Sequence, residues 1–308
     1  MTFVAAPAKA LFALSRGTQA SLSVAQPLIA ALLADDRPSP PRLAAATLAA
    51  FAAFFAVFAA NDVLDIDVDR RRFAHVRPYE GADLDGVGGR HPLARGRLSR
   101  RAAFAWIGGL GLIAVVVAAL LSWVCLALFA VAALLQVLYC RLATVTPLKF
   151  LVSGVMVAVG AAAGWFAVSA SVDPLRLGLF LVWMAAWEIG GRNIPNDLAD
   201  IDEDRHLGVR TLPVAFGPRT GAAVAFGFLL VAGAASCLLA CVTLRSFGPP
   251  GLVGTVLVTA VTVVRPGLVL LRRAEPPVAL AVFNQASFQP VGVLAVFAIG
   301  LATAGLWH

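Results

Sequence analysis

Long apolar runs separated by short polar connections occupy most of this 308-residue chain. Hydropathy places nine of them at 18–34, 42–61, 102–122, 124–140, 150–170, 176–194, 220–243, 251–271 and 278–307. About 20 apolar residues is the length that an α-helix needs to cross the hydrocarbon core of a bilayer. We therefore expect an all-α fold, a multispanning transmembrane bundle of about nine helices that includes residues 1–308 in one domain.

The composition excludes an ordinary soluble protein. Hydrophobic residues make up 60% of the chain and charged residues 13%, whereas a soluble domain carries about 25% charge. The net charge of +7 comes from scattered basic residues without interleaved aromatics, so nucleic acid is not an expected partner. Most basic residues fall in connections on one side of the expected bundle, and the positive-inside rule makes that side cytoplasmic. We expect an integral protein of the cell inner membrane, with an active site that opens to the cytoplasm.

One acidic motif occurs twice. The ten residues from Asn61 to Arg70 and the ten from Asn196 to Arg205 are identical at seven positions. Four expected spans separate them, an even number, so both motifs are predicted to lie on the same side of the membrane.

Helical spacing divides the carboxylates of each motif. If each motif continues the preceding helix, at about 100° of rotation per residue, four polar residues of each motif lie on one face of that helix, at equivalent positions in the two motifs. Asp67 and Asp202 point away from that face. Such a cluster at a helix C-terminus is unfavourable without a cation, and its oxygen ligands suit Mg²⁺ or Mn²⁺. The two sets are Asn61, Asp62, Asp65 and Asp69, and Asn196, Asp197, Asp200 and Asp204.

Two other interpretations of the motif are a solvated acidic helix end and a calcium loop of the EF-hand type. Arg70 and Arg205 stand where a calcium loop needs glycine, and Val76 and Thr211 stand where it needs the bidentate glutamate. Calcium is therefore disfavoured.

These motifs resemble those of the UbiA superfamily of intramembrane prenyltransferases. Asn61, Asp65 and Asp69 match its N-x-x-x-D-x-x-x-D pattern, and Asp197, Asp200 and Asp204 match its second pattern, D-x-x-D-x-x-x-D. Residues 205–213 resemble the tail that follows the second motif, and residues 89–99 resemble a stretch that follows the first. The resemblance covers essentially the whole chain.

The resemblance implies nine helices around a central cavity, with Mg²⁺ as the cofactor and a prenyl diphosphate and a lipophilic acceptor as substrates. Metal ligands would come from both motifs, Asp65 and Asp200 would be catalytic, and Tyr139 with Lys149 would form the family's pair beside the diphosphate. The implied metal ligands are Asn61, Asp62, Asp65, Asp69, Asp197, Asp200 and Asp204. The implied diphosphate-binding residues are Asn61, Arg70, Arg141, Lys149, Asn196 and Arg205.

Some residues in the expected spans are candidates for lining the substrate cavity. Aromatic faces can stabilise an allylic cation, and a charged pair inside the bilayer is costly unless its members meet. Glu188 and Arg192 are one helical turn apart, so we expect them to pair; Glu188 could also orient an acceptor or take its proton. The candidates are Tyr139, Trp165, Trp183, Trp187, Glu188 and Arg192.

We expect transfer of a prenyl group to a lipophilic, aromatic acceptor through an allylic carbocation, with release of diphosphate. Relatives that use a benzoate acceptor carry a Lys-Arg pair where this chain has Ala143 and Thr144, which disfavours an acceptor carboxylate. An intramembrane terpene cyclase is the alternative, because the same cation could be captured by its own double bond. Phosphoribosyl transfer to a polyprenyl phosphate is a third possibility.

Overall fold

Helices account for all the regular structure in the described part of the chain. The computed structural model describes residues 8–64, 66, 84 and 92–303. The N-terminal half contains α1 (Ala8–Leu14), α2 (Gly17–Ser23), α3 (Ala25–Ala34), α4 (Pro40–Leu64), α5 (Arg100–Leu121), α6 (Trp123–Leu142) and α7 (Lys149–Val168). The C-terminal half contains α8 (Pro174–Trp187), α9 (Ile194–Ala199), α10 (Ile201–Leu207), α11 (Leu212–Phe216), α12 (Pro218–Val242), α13 (Leu244–Thr259), α14 (Arg265–Arg273), α15 (Pro276–Ala286) and α16 (Gln289–Ala302).

Eight helical segments among the described residues are long and apolar enough to cross a membrane. They are Gly17–Ala34, Pro40–Leu64, Arg100–Leu121, Trp123–Leu142, Lys149–Val168, Pro218–Val242, Leu244–Arg273 and Pro276–Ala302. The remaining expected span, 176–194, is helical as well, but a π-helical turn follows α8 and brings Glu188 and Arg192 into it. The protein is therefore an integral membrane protein with an all-helical bundle.

The helices pack so that the middle of the chain lies at the centre of the bundle. Helix α7 packs against α3, α6 and α8, while α8 also packs against α12. The largest buried side chains of the main core are Trp165, Trp183, Trp187 and Phe180, which come from α7 and α8. The most exposed of the large hydrophobic residues, such as Leu120, Trp123 and Leu134, lie on α5 and α6, the face where lipid would contact the bundle.

Two π-helical turns, Glu188–Asn193 and Ala260–Val264, interrupt long helices. Each ends two residues before a proline, Pro195 or Pro266. Proline has no N–H to donate to the carbonyl four residues earlier, and the wider turn is one way in which a helix accommodates the missing bond. Gly190 allows the first turn to pack closely, because a Cβ atom there would lie 2.5 Å from the carbonyl oxygen of Ala225 on α12.

Candidate active site

A buried lysine joins three helices through hydrogen bonds. The Nζ atom of Lys149 donates hydrogen bonds to the hydroxyl of Tyr139, at 3.0 Å, and to Oδ1 of Asp197, at 3.2 Å. The side chains of Lys149 and Asp197 are only 6% and 7% exposed. The amide of Asn193 also donates to the Tyr139 hydroxyl, at 2.9 Å. The predicted Tyr139–Lys149 pair thus lies against the second acidic motif.

The second motif presents alternate carboxylates to the interior. Asp197, Asp200 and Asp204 are 5%, 8% and 6% exposed, whereas the Asp202 side chain is 83% exposed and binds Arg205 at 3.0 Å. Asp200 lies at the break between α9 and α10, yet the backbone bonds from Asp200 N to Asn196 O and from Asp204 N to Asp200 O continue the helical spacing across it. In the second motif, the burial of Asp197, Asp200 and Asp204 and the exposure of Asp202 agree with the faces that helical spacing predicts.

The first motif is described only in part. Asn61 lines the cavity, and its Oδ1 accepts hydrogen bonds from Nε2 of Gln136, at 2.7 Å, and from the thiol of Cys140, at 3.3 Å. Asp62 is buried. Asp65, Asp69 and Arg70 lie outside the described residues, so their predicted roles remain predictions.

The first π turn places three polar side chains on one wall of the cavity. The backbone hydrogen bonds of a π-helix join residues i and i+5, so Glu188 and Asn193 are one turn apart and lie on the same face. In an α-helix their side chains would point in different directions. Oε1 of Glu188 accepts a 2.8 Å hydrogen bond from the hydroxyl of Ser153 on α7. Nε of Arg192 lies 4.0 Å from Oε2 of Glu188, which agrees with the expected pairing.

The cavity has a polar end and an apolar arm. The polar end has a volume of about 150 Å³ and includes Asn61, Tyr139 and Asn196 in its lining. The apolar arm, about 140 Å³, runs between α4, α6 and α7 to Ala46 and Ala167. Phe54, Val57, Met156 and Val157 line both spaces, so the two lie on either side of the same four side chains. From Ala46 to Asn61 the path along α4 is about 22 Å.

Comparison with known proteins identifies the family. The model of the UbiA prenyltransferase family matches residues 23–288. The chain belongs to the UbiA prenyltransferase family. It is 30% identical over 249 residues to the digeranylgeranylglyceryl phosphate synthase of Natronomonas pharaonis, a match that covers 72% of this chain and 82% of that protein.

Solved structures of UbiA homologues share the fold. The apo homologue from Aeropyrum pernix K1 has a TM-score of 0.67 at 20% identity and covers 91% of this chain and 97% of its own. The Archaeoglobus fulgidus homologue bound to GPP and Mg²⁺ has a TM-score of 0.66 at 15% identity, with 95% and 99% covered. The predicted family, fold class and enzyme class are confirmed, and the protein is a membrane-embedded prenyltransferase.

Other predicted site residues of this UbiA prenyltransferase lie away from the two spaces. The indole N–H groups of Trp165, Trp183 and Trp187 bind Ser171 O, Gln289 Oε1 and Ala286 O, respectively. None of the three is among the residues that line the polar end or the apolar arm. Large indoles instead fill the space between helices, where their single polar group can be satisfied.

Two of the predicted diphosphate-binding arginines are on the surface. Arg141 is exposed at the end of α6, and Arg205 is half-exposed beside Asp202. Their proposed contact with diphosphate stays a prediction.

The sequence interpretation overlooked Asn193, Gln136 and Ser153. Each makes a hydrogen bond to a predicted site residue: Tyr139, Asn61 and Glu188, respectively. A polar side chain in an otherwise apolar span is a signal that could have identified Gln136 and Ser153. The contact of Asn193 with Tyr139 depends on the π turn, which α-helical spacing does not predict.

The described part of the second acidic motif supplies buried carboxylates of the kind that bind a divalent cation. Asp197, Asp200 and Asp204 are carboxylates buried within eight residues of one another, and such a cluster needs nearby positive charge. Lys149 interacts electrostatically with Asp197 and Asp204. Within the described ranges, no three acidic, histidine or cysteine side chains converge as a complete metal site; Asp65 and Asp69 lie outside those ranges. The oxygen donors are of the type that Mg²⁺ prefers.

Proposed function

We propose that this protein catalyses the Mg²⁺-dependent transfer of a prenyl group from a prenyl diphosphate to a lipophilic acceptor. The supporting observation is that Lys149 hydrogen-bonds Tyr139 and the buried Asp197, and that the polar space lined by Tyr139 and Asn61 shares four lining residues with the apolar arm. An ionising prenyl diphosphate is an elongated substrate with one strongly anionic end and one apolar end. The geometry matches both ends.

At the polar end, Lys149 would bind the departing diphosphate while Asn193 holds the Tyr139 hydroxyl in place. A fixed positive charge in a site of low dielectric stabilises the negative charge that develops on the leaving group. The carboxylates of the acidic motifs would hold Mg²⁺, which would supply positive charge against the phosphate oxygens when bound. The A. fulgidus homologues bound to Mg²⁺ and to DMAPP or GPP support this assignment.

The apolar arm would hold the prenyl chain and keep water from the cation. Its lining is mainly Ala, with a few Gly, Val, Phe and other apolar residues, and its one ionisable group is the thiol of Cys125. An apolar enclosure excludes water that would otherwise hydrolyse a reactive intermediate. The small side chains leave room for a chain that follows α4 for about 22 Å, long enough to favour a donor of several isoprene units.

The lining of the cavity defines the acceptor less closely than it defines the prenyl donor. The sequence predicted an aromatic acceptor, while the relative from N. pharaonis is a digeranylgeranylglyceryl phosphate synthase. That relative's name favours a prenylated glyceryl phosphate as the acceptor class. An aromatic acceptor and self-cyclisation of the donor are the competing outcomes.

Mass spectrometry of products from the purified protein in nanodiscs tests the proposal. The protein would be given geranylgeranyl diphosphate and Mg²⁺, with an alkylglyceryl phosphate, with a phenolic acceptor or with no acceptor. We expect a prenylated adduct and stoichiometric diphosphate release only with an acceptor. Diphosphate release with a cyclic hydrocarbon or alcohol in the acceptor-free sample would replace transfer with cyclisation.

We also propose that the active site opens to the cytoplasmic side of the membrane. The positive-inside rule supports a cytoplasmic position for both acidic motifs, where soluble prenyl diphosphates would enter. Cysteine labelling of an Asp202→Cys variant in inside-out vesicles and in intact cells tests this orientation, because Asp202 is exposed. Labelling of intact cells by an impermeant maleimide would contradict it.

A further inference from the structure

A third space lies on the surface of the bundle, in a groove between α14 and α15. Its volume is about 340 Å³. The residues that line it are different from those that line the polar end and the apolar arm. Both helices belong to segments long and apolar enough to cross a membrane, Leu244–Arg273 and Pro276–Ala302. The groove is therefore within the membrane-spanning part of the protein and separate from the site described above.

The groove lies beside a stripe of exposed apolar side chains. Leu257, Val261 and Val269 are 61%, 56% and 40% exposed, and residues four positions apart lie on one side of a helix. Exposed apolar residues of a membrane span are the ones that lipid covers. Arg265 lies on the same stripe and is also exposed. It is therefore a cation on a face that is otherwise apolar.

A cation in this position needs an anion or water to meet it, because a charged side chain on a lipid-covered face is costly. Arg265 forms no salt bridge or hydrogen bond with any of the described residues. It is eight residues from Arg273, the end of the span, or about 12 Å along the helix. The stem of an arginine can lie along apolar surface while its guanidinium extends toward the headgroups. An anion of the headgroup region can therefore reach Arg265.

The side chains around Arg265 indicate the chemistry of a ligand that would fit the groove. Val269 from α14, with Val278 and Ala281 from α15, makes most of its lining apolar, and Gln285 adds one amide. A guanidinium can bind a phosphate through two parallel hydrogen bonds, and the amide can donate to another phosphate oxygen. The groove therefore suits a molecule with a phosphate group and an apolar chain beside it.

Further positive charge lies at the end of α14. Arg272 and Arg273 are exposed in its last turn, and Glu275 is the one acidic residue from 265 to 285. Arg272 comes seven residues after Arg265, close to two helical turns, so the two lie on the same side of the helix. Basic clusters between membrane helices attract the headgroups of anionic lipids. A headgroup with net negative charge is therefore favoured over a zwitterionic one.

We propose that the groove between α14 and α15 binds an anionic glycerophospholipid, with its phosphate at Arg265 and Gln285 and one hydrocarbon chain between the two helices. This binding is independent of the proposed prenyl transfer. Val282 lines the groove, and Phe283, the next residue of α15, lines the polar end. A lipid in the groove thus contacts the helix that forms part of the wall of the candidate active site.

Native mass spectrometry of the detergent-purified protein tests this site. The protein would be titrated with phosphatidylglycerol or with phosphatidylcholine that has the same acyl chains. We expect the wild type to bind phosphatidylglycerol about tenfold more tightly, and Arg265→Gln to lower that preference about fivefold, because one basic residue has an effect of that order on anionic lipid binding. Arg265→Lys should keep part of the preference, because it keeps the charge without the planar fork. Ala281→Trp should weaken the binding of both lipids by filling the groove.

Arg245→Gln is the matched control, because Arg245 is exposed near the other end of the segment Leu244–Arg273 and does not line the groove. It should bind both lipids as the wild type does, and circular dichroism should show the same helix content in every variant.

Three results would overturn the proposal. If Arg265→Gln keeps the wild-type preference, Arg265 extends toward the headgroups without holding a lipid. If Arg245→Gln loses as much of the preference as Arg265→Gln, net charge explains it. If Arg265→Gln changes the oligomeric state in light scattering while lipid affinity stays the same, the groove is an interface between copies of this chain.

Discussion

The Lys149–Asp197 ion pair offers a direct test of how the polar end of the cavity is held together. The two charged atoms lie 3.2 Å apart and both side chains are almost wholly buried. At an effective dielectric constant of about 20, two unit charges at that distance attract by roughly 5 kcal/mol. Desolvation offsets much of this attraction, but removal of one partner leaves an uncompensated buried charge, which costs about 3–5 kcal/mol.

We therefore expect Lys149→Met to lower the free energy of unfolding by about 3–5 kcal/mol. Asp197→Asn in the same chain removes the stranded charge, so the double variant should recover about 2–3 kcal/mol of that loss through the coupling of the two sites. Unfolding would be followed by circular dichroism during SDS titration of the protein in dodecylmaltoside micelles. The double variant should remain inactive, because both residues are assigned to diphosphate and metal binding.

An exposed ion pair in the same chain serves as the control. Arg176 and Asp173 are also 3.2 Å apart, but their side chains are 33% and 45% exposed. Arg176→Met should cost less than about 1 kcal/mol, because solvent screens such pairs. If Lys149→Met costs no more than Arg176→Met, or if the double variant is as unstable as Lys149→Met alone, the buried pair does not organise the site.

Three further outcomes follow from the same geometry. Asp200→Asn should lower Mg²⁺-dependent turnover at least 100-fold in a diphosphate-release assay. Asp202→Asn should keep turnover within about twofold of the wild type, because the Asp202 side chain is 83% exposed. Equal losses of turnover in the two variants would contradict the assignment of Asp200 to the inward face. Ala46→Phe, at the far end of the apolar arm, should reduce turnover of geranylgeranyl diphosphate at least tenfold relative to geranyl diphosphate, and the exposed Leu48→Phe should not; unchanged donor selectivity would place the prenyl chain elsewhere. Asn193→Leu removes the hydrogen bond to Tyr139 and should lower kcat about tenfold with little change in KM for the donor; a pure KM effect would argue against a positioning role.

The sequence by itself determined the membrane bundle and the buried face of the second acidic motif. Apolar runs of the length of a bilayer core allow little but transmembrane helices, because backbone polar groups must be satisfied within each segment. The same local rule, about 100° of rotation per residue, separated buried Asp197, Asp200 and Asp204 from exposed Asp202. Both properties depend on neighbours along the chain, so the sequence contains them directly.

Only the tertiary structure decided which polar groups meet across helices. Asn193 reaches Tyr139 because a π turn precedes Pro195, and Gln136 reaches Asn61 because α4 and α6 lie side by side at the cavity. The tryptophans pack between helices because neighbouring backbone and side-chain oxygens satisfy their N–H groups there. Hydrogen bonds between helices join residues up to 268 positions apart, as in the bond from Gln19 to Ser287, and they depend on helix rotation and packing, which local periodicity does not specify. The acidic motifs show where diphosphate would bind, but the hydrogen bonds that Tyr139 makes with Lys149 and Asn193 appear only when the helices are assembled.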